Sequence, residues 1–92
     1  MTMSKAVVTV VGKDKPGIIA GVSKTLAEHN INILDVSQTI MGDIFTMSML
    51  VSLEELEGQF NALQDDLNTL GESLGVTIHT QREEIFDAMS KV

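Results

Sequence analysis

Hydrophobic and polar positions follow two periods along this chain, one typical of strands and one typical of helices. Lys5 to Val11 is a nearly continuous β-branched run, which predicts a central strand that is buried on at least one face. From Gly17 onward the apolar positions follow helical spacing: Ile18, Ile19, Val22 and Leu26. Asn30 tolerates a left-handed backbone, so we expect the helix to end there.

The next segment predicts a β-hairpin. Ile31 to Ile40 and Ile44 to Val51 flank Gly42-Asp43, and the glycine suits the first position of a type II′ turn. With this two-residue loop, the expected cross-strand pairs are Met41–Ile44, Ile40–Phe45, Gln38–Met47, Val36–Met49 and Leu34–Val51. One face is then apolar except for Gln38. The other face gathers hydroxyl groups, from Ser37, Thr39, Thr46 and Ser48.

A second helix is predicted after the hairpin. Ser52-Leu53-Glu54-Glu55 has the pattern of a capping box, so we expect this helix to begin at about Leu53 and to end at Gly75. Its apolar residues recur in steps of four and three: Leu56, Phe60, Leu63, Leu67, Leu70 and Leu74. A coiled-coil seam would have the same spacing. The repeat barely spans three heptads and contains Gly58 and Gly71, which favours a helix packed on a sheet.

The chain ends with a predicted strand and a short helix. Val76 to Gln81 reads as the strand, with Val76 and Ile78 on one face. The C-terminal helix at about residues 82–91 has a small apolar face that needs a docking surface, on the domain edge or on a second subunit, formed by Ile85, Phe86 and Met89.

This order of elements, β-α-β-β-α-β, is the ferredoxin-like pattern of an α+β fold. We expect one domain over residues 1–92, with a core of about 4–82. Two helices should cover one face of a four-stranded antiparallel sheet whose first and third strands are central. The uncovered face and the free edge strands are natural dimerisation surfaces.

Composition narrows the function classes. The chain has no cysteine, which excludes disulfides, thiolate metal sites and cysteine nucleophiles. Its net charge of -7 and its lack of Tyr and Trp argue against direct binding of nucleic acid or anionic membranes. Neither a signal peptide nor a membrane-length apolar run is visible, so we expect a cytoplasmic protein.

Enzyme chemistry has no visible constellation of residues. Gly12 and Gly17 are spaced as in a phosphate-binding loop, but Ile18-Ile19 replaces the Lys and Ser or Thr that such a loop requires. His29 is expected to be a surface or capping residue at a helix end, and His79 to be structural or exposed. The methionines at 41, 47 and 49 suit the core and the hairpin better than a metal site. We therefore expect no catalysis, metal or cofactor.

The segment Lys13-Asp14-Lys15-Pro16-Gly17 has two interpretations. In a plain helix start, Asp14 accepts hydrogen bonds from free backbone donors, Pro16 fixes a first-turn dihedral angle and Gly17 relieves crowding. A ligand site would use the same groups, because exposed amides attract a carboxylate and Gly17 lets a ligand approach the backbone. Asp14 could then hold an ammonium group, and the site would suit a zwitterionic amino acid. Both interpretations remain open from these residues alone.

Several segments resemble the ACT domain family of small ligand-sensing modules. They are the first strand Ala6–Gly12, the loop Lys13–Ile18, the stretch Asn30-Ile31-Asn32-Ile33 and the pair Ser37-Gln38. More narrowly, GKDKPGIIAGVS, NINILDVSQT and EEIFDAM resemble the stand-alone ACT proteins of the UPF0237 group. The chain is also similar to the ACT halves of the glycine cleavage system transcriptional repressor. The resemblance covers nearly the entire sequence.

The resemblance implies a homodimer, side by side or face to face, that binds an amino acid at the subunit interface. It implies ligand contacts from one subunit through Asp14, Lys15, Pro16, Gly17 and Ile18, and from the other through Asn32, Ile33 and Leu34. We add Gln38, because it is the odd polar residue on the apolar face of the hairpin. Since the sequence carries no effector domain, we expect the output to be the assembly itself or an unknown partner protein. A ligand-free dimerisation or protein-interaction module is the alternative.

Overall fold

The strands and helices follow the predicted order. The structure, a computed structural model, describes residues 3–13, 16–54 and 59–82. The elements are β1 (Met3–Lys13), α1 (Ile18–Glu28), β2 (Asn32–Met41), β3 (Ile44–Glu54), α2 (Gln59–Leu74) and β4 (Val76–Arg82). The strands form one antiparallel sheet in the order β2-β3-β1-β4, so the first and third strands are central. This confirms the ferredoxin-like α+β fold. The predicted C-terminal helix at about 82–91 lies outside the described residues, except for Arg82.

One face of the sheet forms the core with the two helices. Alternate residues of β1 and β3 are buried on that face, and α1 and α2 cover them with apolar side chains. The buried strand residues include Ala6, Val8, Val10, Phe45, Met47, Met49 and Val51, and the buried helix residues are Ile18, Val22, Leu26, Leu63 and Leu67. Phe60, Leu70 and Leu74 pack against this core. The described part of the apolar stripe of α2 therefore packs on the sheet, as predicted.

The hairpin keeps its predicted register near the turn and loses it at the far end. Four of the five expected pairs are present: Met41–Ile44, Ile40–Phe45, Gln38–Met47 and Val36–Met49. Gly42 has φ 65°, and Asp43 has no positive φ, as a type II′ turn requires. The predicted pair Leu34–Val51 is wrong. A bulge between Ile33 and Asp35 brings Ile33 opposite Val51 and leaves Leu34 as the extra residue.

The predicted start of the second helix at Leu53 is also wrong. Leu53 lies in β3, is only 2% exposed and pairs with Ser4 of β1. Ser52 lies opposite Lys5 and Asn32 and is therefore not a helix cap, and Glu55 is outside the described residues. Because β1 extends back to Met3, β3 has a hydrogen-bonding partner through Glu54. Strand pairing and burial of Leu53 outweigh the local capping pattern.

Both predicted helix stops are confirmed. Asn30 has φ 56° two residues after α1, and Gly75 has φ 73° directly after α2. Two side-chain contacts join α2 to β4. Gln64 Nε2 donates a hydrogen bond to the carbonyl oxygen of Thr80 at 2.9 Å, and the Arg82 guanidinium lies 4.4 Å from the centre of the Phe60 ring. Within the described residues, no helix is long and apolar enough to cross a bilayer.

Candidate functional site

The first part of the candidate site is the start of α1. Gly17 is the N-cap residue, and its carbonyl oxygen accepts a hydrogen bond from the Gly21 amide at 2.8 Å. The amides of Ile18, Ile19 and Ala20 precede that bond, so they have no acceptor within the helix. No described side chain caps this end. Among the described residues, these first amides therefore have no side-chain acceptor, and with the positive end of the helix dipole they favour an anionic group.

Gly17 is required here by its backbone conformation. Its φ of 93° lies in the left-handed region, and a Cβ atom at this position would have no neighbour within 4 Å among the residues that the structure describes. These residues show no crowding for Gly17 to relieve. Pro16 precedes the N-cap, so the prediction that it fixes a first-turn dihedral angle is wrong. The open space beside Gly17 leaves the backbone accessible to a small molecule.

The other predicted residues of this loop differ in what they can offer. Ile18 is only 2% exposed, because its side chain points into the core. It could reach a ligand through its amide alone. Asp14 and Lys15 lie outside the described residues, so their contacts with a ligand stay predictions.

The second part of the candidate site is β2, an edge strand exposed along its whole length. Three of its residues lie opposite buried Val51, Met49 and Phe45, on the side of the sheet that carries the helices. The helices do not cover these three residues. They form an apolar strip, hereafter the β2 strip, of Ile33, Val36 and Ile40, which are 40%, 46% and 55% exposed. Gln38 interrupts the strip and is exposed as well. The residue patterns alone did not identify Val36 and Ile40 as accessible, because apolar alternation does not tell an edge from a covered face.

The bulge changes which side chains and backbone groups are exposed at the start of β2. Leu34 is 49% exposed and has no cross-strand partner, and the amide of Val36 donates a hydrogen bond to Asp35 Oδ1 at 2.9 Å. Asn32 lies opposite Ser52, on the face of the sheet without helices, so its side chain is on the other side from Gln38. A bulge interrupts the ladder, and its free backbone groups are suited to bind a polar ligand head group.

These two parts of the site lie at opposite ends of the sheet within one chain. The loop begins near Gly12, which pairs with Phe45 of β3, and Phe45 pairs with Ile40 of β2. The loop therefore lies at the same end of the sheet as the C-terminal end of β2. Ile33 shares the other end with Val51 and Ala6. Six residues of β1 and six of β3 separate these ends, a distance of about 20 Å. The described structure therefore does not bring Gly17 together with Asn32, Ile33 and Leu34 in a single chain.

The histidines and methionines have structural positions. His29 is the C-cap residue of α1, as predicted, and its Nε2 lies 2.7 Å from Asp66 Oδ2 on α2. His79 is exposed on β4. Met47 and Met49 are buried, and Met41 is exposed beside the hairpin turn. Among the residues that the structure describes, no cluster of three or more His, Asp or Glu side chains could hold a metal ion.

Comparison with known proteins gives the family. The family model of the ACT domain matches residues 4–81. A UPF0237 protein of Methanopyrus kandleri is 50% identical over 98% of this chain and 100% of its own length. A UPF0237 protein of Listeria innocua is 54% identical over 96% of this chain and 99% of its own length.

Solved structures agree with this result. An ACT domain protein from Streptococcus pneumoniae superposes with a TM-score of 0.78 at 43% identity, covering 90% of this chain and 93% of that one. A candidate glycine cleavage system transcriptional repressor superposes with a TM-score of 0.79 at 27% identity, covering 89% of this chain and 47% of that one. The chain therefore belongs to the ACT domain family, and within it to the UPF0237 group.

Proposed function

We propose that this protein is a non-enzymatic regulator that binds an amino acid or a related small metabolite between two copies of the chain. ACT domains are typically regulatory ligand-binding domains, which supports a sensing role. The observation that carries the proposal is the position of the two half-sites, because each is exposed and they lie at opposite ends of the sheet. A second copy can bring them together.

Antiparallel pairing of two β2 edges has the required geometry. A two-fold axis between the edges makes each strand run opposite to its partner, so the loop end of one copy meets the Asn32 end of the other. The free backbone groups of β2 would hydrogen bond across the pair, and the two β2 strips would become continuous. The result is one eight-stranded sheet with two equivalent ligand sites.

The groups at each site indicate the class of ligand. The free amides at the start of α1 suit a carboxylate. Carbonyl groups released by the bulge at Leu34 suit an ammonium group. The β2 strip is apolar, with Gln38 as its one polar side chain, so a small uncharged side chain fits better than a charged one. A zwitterionic amino acid with a neutral side chain combines these features.

The signal would pass from the ligand to a partner protein. A ligand that binds across the β2 edges favours the dimer over the monomer, since it contacts both copies only when they are paired. A partner that recognises the paired form would then respond to the metabolite concentration. This mechanism needs no catalytic residue.

A thermal-shift screen against amino acids and related metabolites tests the proposal. A ligand at about 100 times its Kd should stabilise the native protein by about 2.7 kcal/mol. The variant Gly17→Asp should abolish this shift, because a carboxylate beside the free amides repels the carboxylate of the ligand. Gly42→Asp is the matched control, since Gly42 also has a positive φ and open space around it.

Each result has a definite meaning. A concentration-dependent shift that Gly17→Asp removes and Gly42→Asp retains would support a sensor and identify its signal. If no compound shifts the melting temperature of a folded dimer, the ligand site is refuted. The alternative of a dimerisation or protein-interaction module would then take its place.

A further inference from the structure

The regular part of β2 has its midpoint at Gln38. A bulge between Ile33 and Asp35 interrupts the strand at one end, and the turn at Gly42 closes it at the other. Between these limits, residues 35–41 pair with β3 without irregularity. Gln38 is the middle residue of that stretch. If two copies pair through this edge about a two-fold axis, only an axis at Gln38 pairs the whole stretch with itself.

Gln38 also directs its backbone groups towards the free edge. Hydrogen-bonded and non-hydrogen-bonded pairs alternate along an antiparallel ladder. The pair Met41–Ile44 closes the two-residue turn and is hydrogen-bonded. Three steps along the ladder, Gln38 therefore belongs to a pair that is not hydrogen-bonded, and its amide and carbonyl groups point away from β3. Val36 has the same direction, and its amide donates to Asp35 Oδ1 at 2.9 Å, which agrees with it.

The side chains of two such edges match when the axis lies at Gln38. On the helix side, Val36 of one copy then lies opposite Ile40 of the other, so two apolar pairs flank the two Gln38 side chains. On the other face, Ser37 lies opposite Thr39, which pairs two hydroxyl groups. Moving the axis by one residue in either direction would put each Gln38 side chain against an apolar residue instead. The pattern of β2 is therefore complementary to itself in one register.

A carboxamide is a polar group that can pair with its own copy across a two-fold axis. It has a carbonyl oxygen that accepts and an NH2 group that donates, so two carboxamides can exchange a pair of N–H···O bonds. Two carboxylates or two ammonium groups would repel each other there. Gln38 is exposed in the single chain, and pairing of the edges would bury it. A buried amide needs a hydrogen-bond partner, which the second Gln38 supplies.

We propose that Gln38 lies on the two-fold axis of the β2 pair, where it binds Gln38 of the second copy and fixes the register. This inference rests on the pairing of β2 edges in the proposed function. The axis separates the two equivalent ligand sites, so Gln38 belongs to the interface and not to either site. A polar residue in an apolar interface costs some stability, but it excludes slipped pairings that a wholly apolar strip would allow.

Single-cysteine variants test the axis, because the natural chain has no cysteine. Gln38→Cys should form a disulfide between two chains under mild oxidation, since a hydrogen-bonded pair has Cα atoms about 5.5 Å apart and disulfides need about 4.4 to 6.8 Å. Ser37→Cys and Val36→Cys are the matched controls. Their positions in the two copies are offset by two and four residues, which puts the Cα atoms about 8 Å and about 14 Å apart. We expect Gln38→Cys to cross-link several-fold faster than either control.

The cross-linking rates separate the position of the axis from the pairing itself. Equal or faster cross-linking of Ser37→Cys or Val36→Cys would keep the β2 pairing and overturn the axis at Gln38. Gln81→Cys, on the opposite edge strand β4, gives the rate of chance collisions. If none of the three β2 variants cross-links faster than Gln81→Cys, the β2 pairing of the proposed function fails, and this inference fails with it.

A charge exchange tests the contact between the two Gln38 side chains in folded protein. Gln38→Glu and Gln38→Lys should each raise the dimer Kd, measured by sedimentation, by more than about tenfold, because like charges then meet at the axis. A 1:1 mixture of the two variants should form a mixed dimer, in which opposite charges meet. Gln81→Glu and Gln81→Lys control for charge alone, since Gln81 is exposed on β4. An unchanged Kd in the single variants, or a mixture that stays monomeric, would overturn the contact.

Discussion

A Cβ atom on Gly12 would lie 2.5 Å from Cγ1 of Val76, its partner across the β1–β4 pair. That distance is shorter than van der Waals contact, so only glycine lets Val76 enter the core at this position. Gly12 and Gly17 are five residues apart, yet they have different roles. Gly12 permits close packing of two strands, and Gly17 permits a left-handed backbone.

Replacing Gly12 with alanine should therefore destabilise the fold. The added methyl group overpacks the β1–β4 contact, which costs about 1–3 kcal/mol. Urea unfolding measures the loss of free energy. Val76→Ala removes Cγ1, the atom nearest to the added Cβ, so the double variant should lose less than the sum of the two single losses. Additive losses would show that the two residues do not compete for the same space.

The two helical glycines should respond differently to alanine. A Cβ on Gly71 would lie 2.8 Å from the Val76 carbonyl oxygen, whereas a Cβ on Gly21 would lie 3.3 Å from Leu70 Cδ1 at the end of a flexible side chain. Alanine is the better helix former by about 1 kcal/mol. We expect Gly71→Ala to lower the melting temperature despite that gain and Gly21→Ala to have a much smaller effect. Equal melting temperatures for both variants would contradict the close approach of α2 to β4.

The hydrogen bond from Gln64 to the Thr80 carbonyl should be measurable. Gln64→Leu removes the donor and should cost about 0.5–1.5 kcal/mol of unfolding free energy. Gln64→Glu should cost more, because a carboxylate oxygen would face the carbonyl oxygen. Asn61→Asp is the charge control, since Asn61 is exposed on the same helix. If Gln64→Glu is no more destabilising than Asn61→Asp, the bond contributes nothing to stability.

Pairing through β2 predicts a specific loss of dimer. Val36→Lys places a charge in the β2 strip, where Val36 is 46% exposed, so the monomer should still fold. Light scattering after size exclusion should show the monomer mass at concentrations where the natural protein forms the proposed dimer. Val11→Lys is the matched control on the face of the sheet without helices, where Val11 is 39% exposed. A dimer lost with Val11→Lys and kept with Val36→Lys would indicate pairing through that face.

The arrangement of elements was predictable because each one has its own local signal. The β-branched run of β1, the glycine turn at Gly42 and the helical spacing of Leu63 and Leu67 all point to the same fold. The errors come from places where pairing with a distant segment decides the outcome. Leu53 follows a capping pattern but is drawn into β3 by β1. The bulge at Leu34 cannot be read from Ile33-Leu34, because either residue could occupy the apolar face.

The candidate site was predictable in its parts and not in its arrangement. Proline and glycine mark the loop, and Gln38 stands out as a polar residue in an apolar pattern. Nothing in the residue order places the loop and Asn32–Leu34 at opposite ends of one sheet. That separation depends on strand order and register, which only the folded chain defines.

The central position of β1 also determines when the domain can fold. Its partners are β3 and β4, which follow it at long sequence separation, while β2 and β3 form a local hairpin. During synthesis the hairpin can therefore form early, but Val8 and Val10 stay without one neighbour until residues 76–82 have left the ribosome. Such non-local closure slows folding. The sheet is completed only when β4 has been synthesised, and until then the central strand β1 has an incomplete set of partners.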